Sequence, residues 1–420
     1  MNSSEISSAA TVGAAARKAA FRMAQLSGPQ KNAYLQAVAD ALRDRSAEIL
    51  AANEGDVHAA RDDGATQPVL NAIRIGSHTI DDLAKSMQVL AGIGDPVGRV
   101  DATWIRPNGL KIEKVRVPIG VIAVVSEGAP AIAPEAAGIC LKAGNALILH
   151  DSGLCRRTQA AFVSVMQGAA ADADIPVSAV QDLHSEAARS LEALIGSPGL
   201  VEVVIPRGEA SFVSHVSRLS AVPVLKQREG VCHMYVDEDA DPELAVKLAE
   251  DACCAERGAA DCVNVVLVHS AAVDTVAPRM AEALHKCGVE VRGDDQVRRC
   301  VSGLTPASEA DWRAAAPPGV LTIGAIAGLE DAVAWINEHG AGYCDSIITR
   351  NRGTGSKFCQ SVDSACVYVN ASTRFTDGTQ FGMGGQIGFS TGRLHARGPL
   401  GTEELTTYKY VAVGNGQTRR

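Results

Sequence analysis

A chain of 420 residues with 46% hydrophobic, 21% charged and only 4% aromatic residues has the composition of a globular protein with an aliphatic core, which excludes disordered and collagen-like classes. Its length exceeds what one core supports, so two or three packed units are expected. The formal net charge of -9 disfavours nucleic acid and anionic membrane surfaces as partners and points to small molecules and protein.

After a small polar leader, residues 31–50 place Tyr34, Leu35, Val38, Leu42 and Ile49 on one face, which predicts a single amphipathic helix. A second helix is expected over 80–90. Pro107-Asn108-Gly109 then separates two alternating segments within TWIRPNGLKIEKVRVPIG, a hairpin signal. The hairpin is expected over 102–117. GVIAVV, PEAAGICLKAG and ALILH read as strand, crossover helix and strand, hence parallel pairing. The alternation continues through a helix over 157–171 and strands VEVVIP, VPVL and VCHMYVD. A helix over 242–255, the strand VNVVLVH, a helix over 272–287 and VEVRG follow, then LTIGAIA, a helix from Leu329, SIIT and CVYVN. The fold class is therefore α/β with mainly parallel sheets.

The 11 cysteines are odd in number, scattered and without a CxxC pair, so reduced thiols, a cytoplasmic location and no metal ligand set are expected. No basic start precedes an apolar stretch and nowhere do eighteen apolar residues run together, so neither a secretion signal nor a membrane span is expected. The dinucleotide pattern G-x-G-x-x-G is absent; Gly353-Thr354-Gly355 and Gly382-Met383-Gly384-Gly385 do not complete it. Cys253, Cys254 and Cys262 lie where a helix meets VNVVLVH, a place from which a thiolate can attack an acyl carbon. Small buried hydrophobe is the commoner role of a free cysteine, and Asp261 disfavours a thiolate beside it. His233, on an apolar strand, reads as a hydrogen-bonded interior histidine. The segment from 368 to 410 is rich in Gly, Ser and Thr and carries Arg374, Arg393, His395 and Arg397. Such loops bind carboxylate or phosphate through backbone N–H groups and guanidinium forks, or order a subunit contact.

VNASTRFTDG, FGMGGQIGFSTGRLHARGPLG and EELTTYKY closely resemble the C-terminal signature of the γ-glutamyl phosphate reductase family, also called glutamate-5-semialdehyde dehydrogenases. NEGDVHAARDDG, DPVG, RPNGLKIEKVRVPIGVIAVV, LKAGNALIL, VPVLKQREGVCHMYVDEDAD and VEVRGD fall in the family's order, so the resemblance covers nearly the whole chain. It implies the aldehyde dehydrogenase fold. A nucleotide-binding domain would span 1–101 and 117–227 with part of 380–403, a catalytic domain 228–379, and oligomerisation elements 102–116 and 404–416, in which the hairpin is expected to pair with a C-terminal strand at 408–413 of another subunit. Family enzymes use NADPH to reduce γ-glutamyl phosphate in proline synthesis, through a cysteine that displaces phosphate and forms a thioester.

Carried onto this sequence, the resemblance implies substrate contacts at Asn370, Ser372, Thr373, Arg374 and Phe375, and NADP contacts at Ser126, His150, Ser152 and Gly208. An ungapped match to the family's R-x-G-x-C-N/G motif puts Gly258 on the glycine and Ala260 on the cysteine, with Cys262 two positions later. Asn264 stands for a glutamate. In the family's Y-E-A-R-P-N segment, whose asparagine resembles the oxyanion donor of aldehyde dehydrogenases, both arginine and asparagine are alanine, at Ala129 and Ala131. R-G-G-S-E becomes His150-Asp151-Ser152-Gly153-Leu154, P-R-G-G-K becomes Pro206-Arg207-Gly208-Glu209-Ala210, and a C-terminal glutamate becomes Gln386. Added acids and a lost lysine should weaken dinucleotide binding, with Asp151 expected near the adenosine ribose or its phosphate.

Three readings follow. Cys262 replaces the missing nucleophile of a working reductase; or the protein transfers the acyl group of an acyl phosphate to another nucleophile, such as an amine; or it is a non-catalytic partner that binds or protects the acyl phosphate, or associates with the amino-acid kinase that makes it. A homo-oligomer is expected in each.

Overall fold

The computed structural model describes residues 3–151, 153–183, 188–228, 230–254, 261–314, 317 and 319–419. The chain runs α1 (Ser3–Met23), α2 (Gly28–Asp44), α3 (Ser46–Asp62), α4 (Gln67–Ile73), α5 (Ser77–Gly92), β1 (Val100–Ile105), β2 (Lys111–Pro118), β3 (Val121–Ser126), α6 (Ile132–Lys142), β4 (Ala146–Asp151) and α7 (Arg156–Asp172). Next come β5 (Val180–Asp182), α8 (Ala188–Ile195), β6 (Val203–Arg207), α9 (Ala210–Leu219), β7 (His233–Val236), α10 (Pro242–Cys254), β8 (Val265–His269) and α11 (Val273–Lys286). β9 (Glu290–Gly293), α12 (Asp295–Cys300), β10 (Thr305–Pro306), α13 (Glu309–Arg313), β11 (Val320–Ile326), α14 (Leu329–His339), β12 (Cys344–Ile348) and α15 (Arg352–Ser361) follow. β13 (Cys366–Val369), β14 (Phe389–Ser390), β15 (Gly398–Pro399) and β16 (Thr406–Val413) close the series. They divide into two units, Met1–Lys226 with Gly382–Gly388 and Leu400–Arg420, and Gln227–Phe381 with Phe389–Pro399.

The first unit is built on a parallel sheet in the order β5-β4-β3-β6. β3 and β4 are buried at every position, as continuous apolar runs in a helix-covered parallel sheet require. The polar leader is helical. It forms α1, which buries Ala9, Ala16, Ala19, Ala20 and Met23; alanine supplies high helix propensity with little hydrophobic signal. Gly13 lets this helix approach Leu200, whose Cβ would lie 3.0 Å from an added methyl. The expected single helix over 31–50 is two, parted at Arg45 (φ -103°, ψ 18°), with α2 packed on α5 and α7 and α3 on α7. VPVL is no strand. It contributes one bridge, Val224 to Val204.

The hairpin turns as its sequence requires: Gly109 has φ +83° and Arg106 donates to Leu110 O at 2.9 Å. Its third strand, however, comes from the same chain. β16 pairs antiparallel with β2 from Thr406↔Pro118 to Val413↔Lys111, which corrects the expectation of pairing with another subunit. The chain returns to the first unit at Leu400, close enough in sequence for β16 to reach its own hairpin.

The second unit carries a seven-stranded parallel sheet, β10-β9-β11-β8-β7-β12-β13. Alternation along β8 sends Val266 and Val268 into the core under α10 and α11, and Val265 and Leu267 into the core under α14 and α15. Among the described residues no helix is long and apolar enough to cross a membrane.

Candidate functional site

In the second unit the chain enters β8 through Asp261 and Cys262, both buried at 7% exposure. The 370–376 segment fixes this entry. Thr373 Oγ1 donates to Asp261 O at 2.6 Å, and the Arg374 guanidinium is ion-paired with the Asp261 carboxylate, the two side chains only 19% and 10% exposed. Ser372 Oγ accepts from Arg374 N at 3.2 Å, closing the short turn that aims the guanidinium. Farther on, Tyr343 OH donates to Thr376 O at 3.1 Å. Asn264, in place of the glutamate, is a strand connector: its side chain accepts from Cys232 N at 3.0 Å, and its own N–H donates to Cys232 O.

The five substrate-contact candidates are not gathered at one spot. Thr373 and Arg374 meet the entry to β8, Ser372 bonds within their turn, and Phe375 is half exposed beside them. Asn370 sits at the carboxyl end of the sheet edge, in left-handed backbone (φ +54°). It clamps the residue after β12, accepting from Thr349 N at 2.9 Å and donating to Thr349 O at 2.8 Å. There it lines a different cavity of about 340 Å³ with Arg350, Asn351 and Arg352.

The thiols among the described residues whose titration is seen to shift are all raised. Burial pushes Cys140, Cys155, Cys253 and Cys344 up, and Cys366 up to about 11; a hydrogen bond to Asp274 raises Cys300. Cys344 lies 3.5 Å from Cys232, sulfur to sulfur, in a packed apolar cluster. His233 is an interior residue whose N and Nδ1 both meet Asp345 Oδ1, at 2.6 and 3.1 Å.

In the first unit, β3, β4 and β6 end side by side, with Ser126 aligned to Asp151 and to Arg207. The chain leaves β3 for β4 and β5 on one side and returns to β6 on the other. β3 is thus a topological switch point, where doubly wound sheets bind ligands at the carboxyl ends. Asp151 does not point outward to a ribose. Its carboxylate is 3% exposed and turned into the chain, accepting from Gly153 N and Cys155 N at 2.9 Å and from Ser126 Oγ and Gly128 N at 3.3 Å. The sequence is corrected here by local geometry, because the turn between β4 and α7 needs an acceptor for its N–H groups. His150 is buried at 7% exposure, its Nδ1 3.4 Å from Leu183 O. Burial lowers its pKa, so it is neutral at pH 7 and offers no cation to a phosphate. Gly208 is required by packing, since a Cβ there would lie 2.7 Å from the Phe212 ring and 3.0 Å from Glu127 Cβ. Ser152 and Ala260 lie outside the described residues.

A model of the aldehyde dehydrogenase family matches residues 2–299. The chain is 38% identical over 405 residues to the γ-glutamyl phosphate reductase of Caldanaerobacter subterraneus, covering 96% of this chain and 98% of that one. The same enzyme of Thermobifida fusca is 40% identical over 404 residues, covering 96% and 97%. The chain belongs to the γ-glutamyl phosphate reductase family, a branch of the aldehyde dehydrogenases. The crystal structure of the Thermotoga maritima γ-glutamyl phosphate reductase matches it with a TM-score of 0.94 at 36% identity, over 98% of this chain and 99% of that one.

Within that family frame, Ala131 opens α6 with a half-buried methyl and no side-chain donor. Asp261 is the residue that sequence reasoning undervalued. Its place immediately after the position of the family's cysteine was the available signal, but its partner Arg374 lies 113 residues away.

Proposed function

We propose that this protein binds γ-glutamyl phosphate or a related acyl phosphate and has given up the thioester-forming reduction. The observation that carries this reading is the setting of Cys262, buried in a segment whose preceding carbonyl is anchored by Thr373. With alanine at position 260, the adjacent thiol stands two residues along, a displacement of roughly 6.6 Å in extended chain. Attack on an acyl carbon tolerates errors of about 1 Å. Ala131 removes a second group; one oxyanion donor is worth about 2.7–4 kcal/mol of barrier.

A nicotinamide dinucleotide, NADP by family resemblance, would be held at the carboxyl ends of β3, β4 and β6. The residues there fit it poorly. Glu127 and Glu209 are exposed beside Arg207, and His150 is neutral. Opposition of these acids to a polyanion supports loss of the cofactor's role.

Semialdehyde-dependent reduction of NADP in the presence of phosphate should be near background and unchanged in Cys262→Ser, while titration with NADPH should give weak or no binding. Turnover at a typical enzymatic rate, abolished by Cys262→Ser, would overturn the reading. Product analysis with amines separates acyl transfer from simple protection of the acyl phosphate beside a kinase. Self-association belongs to the same proposal: Trp104, Ile105, Tyr408, Tyr410 and Val413 are exposed on the β1-β2-β16 sheet. Sedimentation at micromolar concentration should show a homo-oligomer rather than a monomer.

A further inference from the structure

A guanidinium in a turn is an anion fork, and its affinity depends on what already occupies it. Arg374 is aimed by Ser372 Oγ on its own backbone N–H, and Asp261 is held against it by the Thr373 bond to the Asp261 carbonyl. The two anchors come from adjacent residues of one turn. They fix donor and acceptor relative to each other, so that the Asp261 carboxylate meets Arg374 in a largely buried ion pair. That carboxylate has the charge and planar two-oxygen shape of the end group of a glutamate-like ligand, and it is tethered where a free anion would have to come from solution.

We propose that Asp261 is a specificity-determining residue: a built-in carboxylate that fills the Arg374 fork, so that an anionic ligand, whether a carboxylate or a phosphate, binds there only by displacing it. The inference rests on the proposed acyl-phosphate reading and adds that the resting chain holds such a ligand weakly. A tethered competitor acts at an effective concentration of about millimolar or higher, so an anion binding more weakly than this is largely excluded from the fork.

The test is calorimetry on the full chain with inorganic phosphate, glutamate and a γ-glutamyl phosphonate. Asp261→Asn keeps the side-chain size and the carbonyl that Thr373 bonds, and removes the charge. It should bind at least one of the three about tenfold or more tightly than the unmodified chain. Phosphate and glutamate in separate arms tell which end of the ligand the fork takes. Adding Arg374→Gln to Asp261→Asn should abolish the gain. Unchanged affinity for all three in a folded Asp261→Asn would overturn the proposal, as would a gain that survives Arg374→Gln. If the unmodified chain binds the phosphonate and Asp261→Asn binds it no better, this inference fails and the acyl-phosphate reading stands; if neither protein binds any of the three, both fail. Should Asp261→Asn not fold, a crystal of the unmodified chain soaked in phosphate decides: phosphate on Arg374 with Asp261 swung away supports the proposal, and a bound anion elsewhere with the ion pair intact overturns it.

Discussion

Asp151 and Asp261 are both carboxylates placed near the positions where the family's ligands are expected, and each is buried, yet they are spent in opposite ways. Asp151 is surrounded by four N–H and O–H donors: two backbone N–H groups of its own turn, where β4 passes into α7, and Ser126 Oγ and Gly128 N where the chain leaves β3. Asp261 meets a full positive charge on a segment distant in sequence. The first arrangement makes an acid part of the scaffold. The second makes it a competitor for a functional group. Charge counting treats the two alike; the identity of the partner separates them.

The comparison breaks most visibly at the ion pair. Arg374→Ala leaves the Asp261 charge largely buried without its cation, and the expected loss is about 3 kcal/mol in urea unfolding. Asp261→Asn with Arg374→Gln should cost less than Arg374→Ala alone, because neither partner then remains charged. A double variant as destabilised as the single one would show that the pair acts through packing.

At the other acid, Asp151→Ala removes the acceptor of three backbone N–H groups and should cost about 2 kcal/mol. Asp151→Asn retains one acceptor oxygen and should recover part of that. Neither change should alter anion binding, which is the sharpest contrast with position 261. A tighter phosphate complex in Asp151→Asn would put that acid back in a ligand role.

Asn370 offers a smaller effect. Its two side-chain bonds to Thr349 and its left-handed backbone make Asn370→Ala worth about 1–2 kcal/mol. Asn370→Gly, which loses the bonds and keeps the backbone freedom, should cost less. Equal losses would assign the whole effect to the hydrogen bonds.

The legible parts of this molecule are those where one local signal sufficed. GVIAVV and ALILH are apolar at every position and flank a helix of crossover length, and they became β3 and β4. The unread parts depended on partners that sequence does not name. α1 is built from alanines whose burial shows only once Leu200 and β4 lie against it. Arg45 breaks a helix without glycine or proline, and the break lets α2 pack chiefly on α5 while both α2 and α3 lie against α7. The hairpin declared its turn but not which chain would supply the third strand. At the site, the alanines at 131 and 260 could be read from the motif, whereas the Asp261 to Arg374 contact, which changes what the loop can bind, required the fold.

The smallest effect concerns His150, which shares the strand end with Asp151 and shows what burial alone does to a group there. Burial lowers its pKa below the ordinary value of 6.5, opposed by the Leu183 carbonyl and the Asp151 charge and assisted by Arg156. The unfolded chain therefore binds a proton at a pH where the folded chain does not, and stability rises with pH across that interval. The contribution is fully present above pH 6.5 and is lost as pH falls through the folded pKa. His150→Gln cannot titrate, so the difference in unfolding free energy between the unmodified chain and this variant should shrink or reverse between pH 7.5 and pH 5, while the contributions of other groups cancel in the difference. A difference that stays flat over this range would mean that the imidazole is as well hydrated in the folded chain as in the unfolded one.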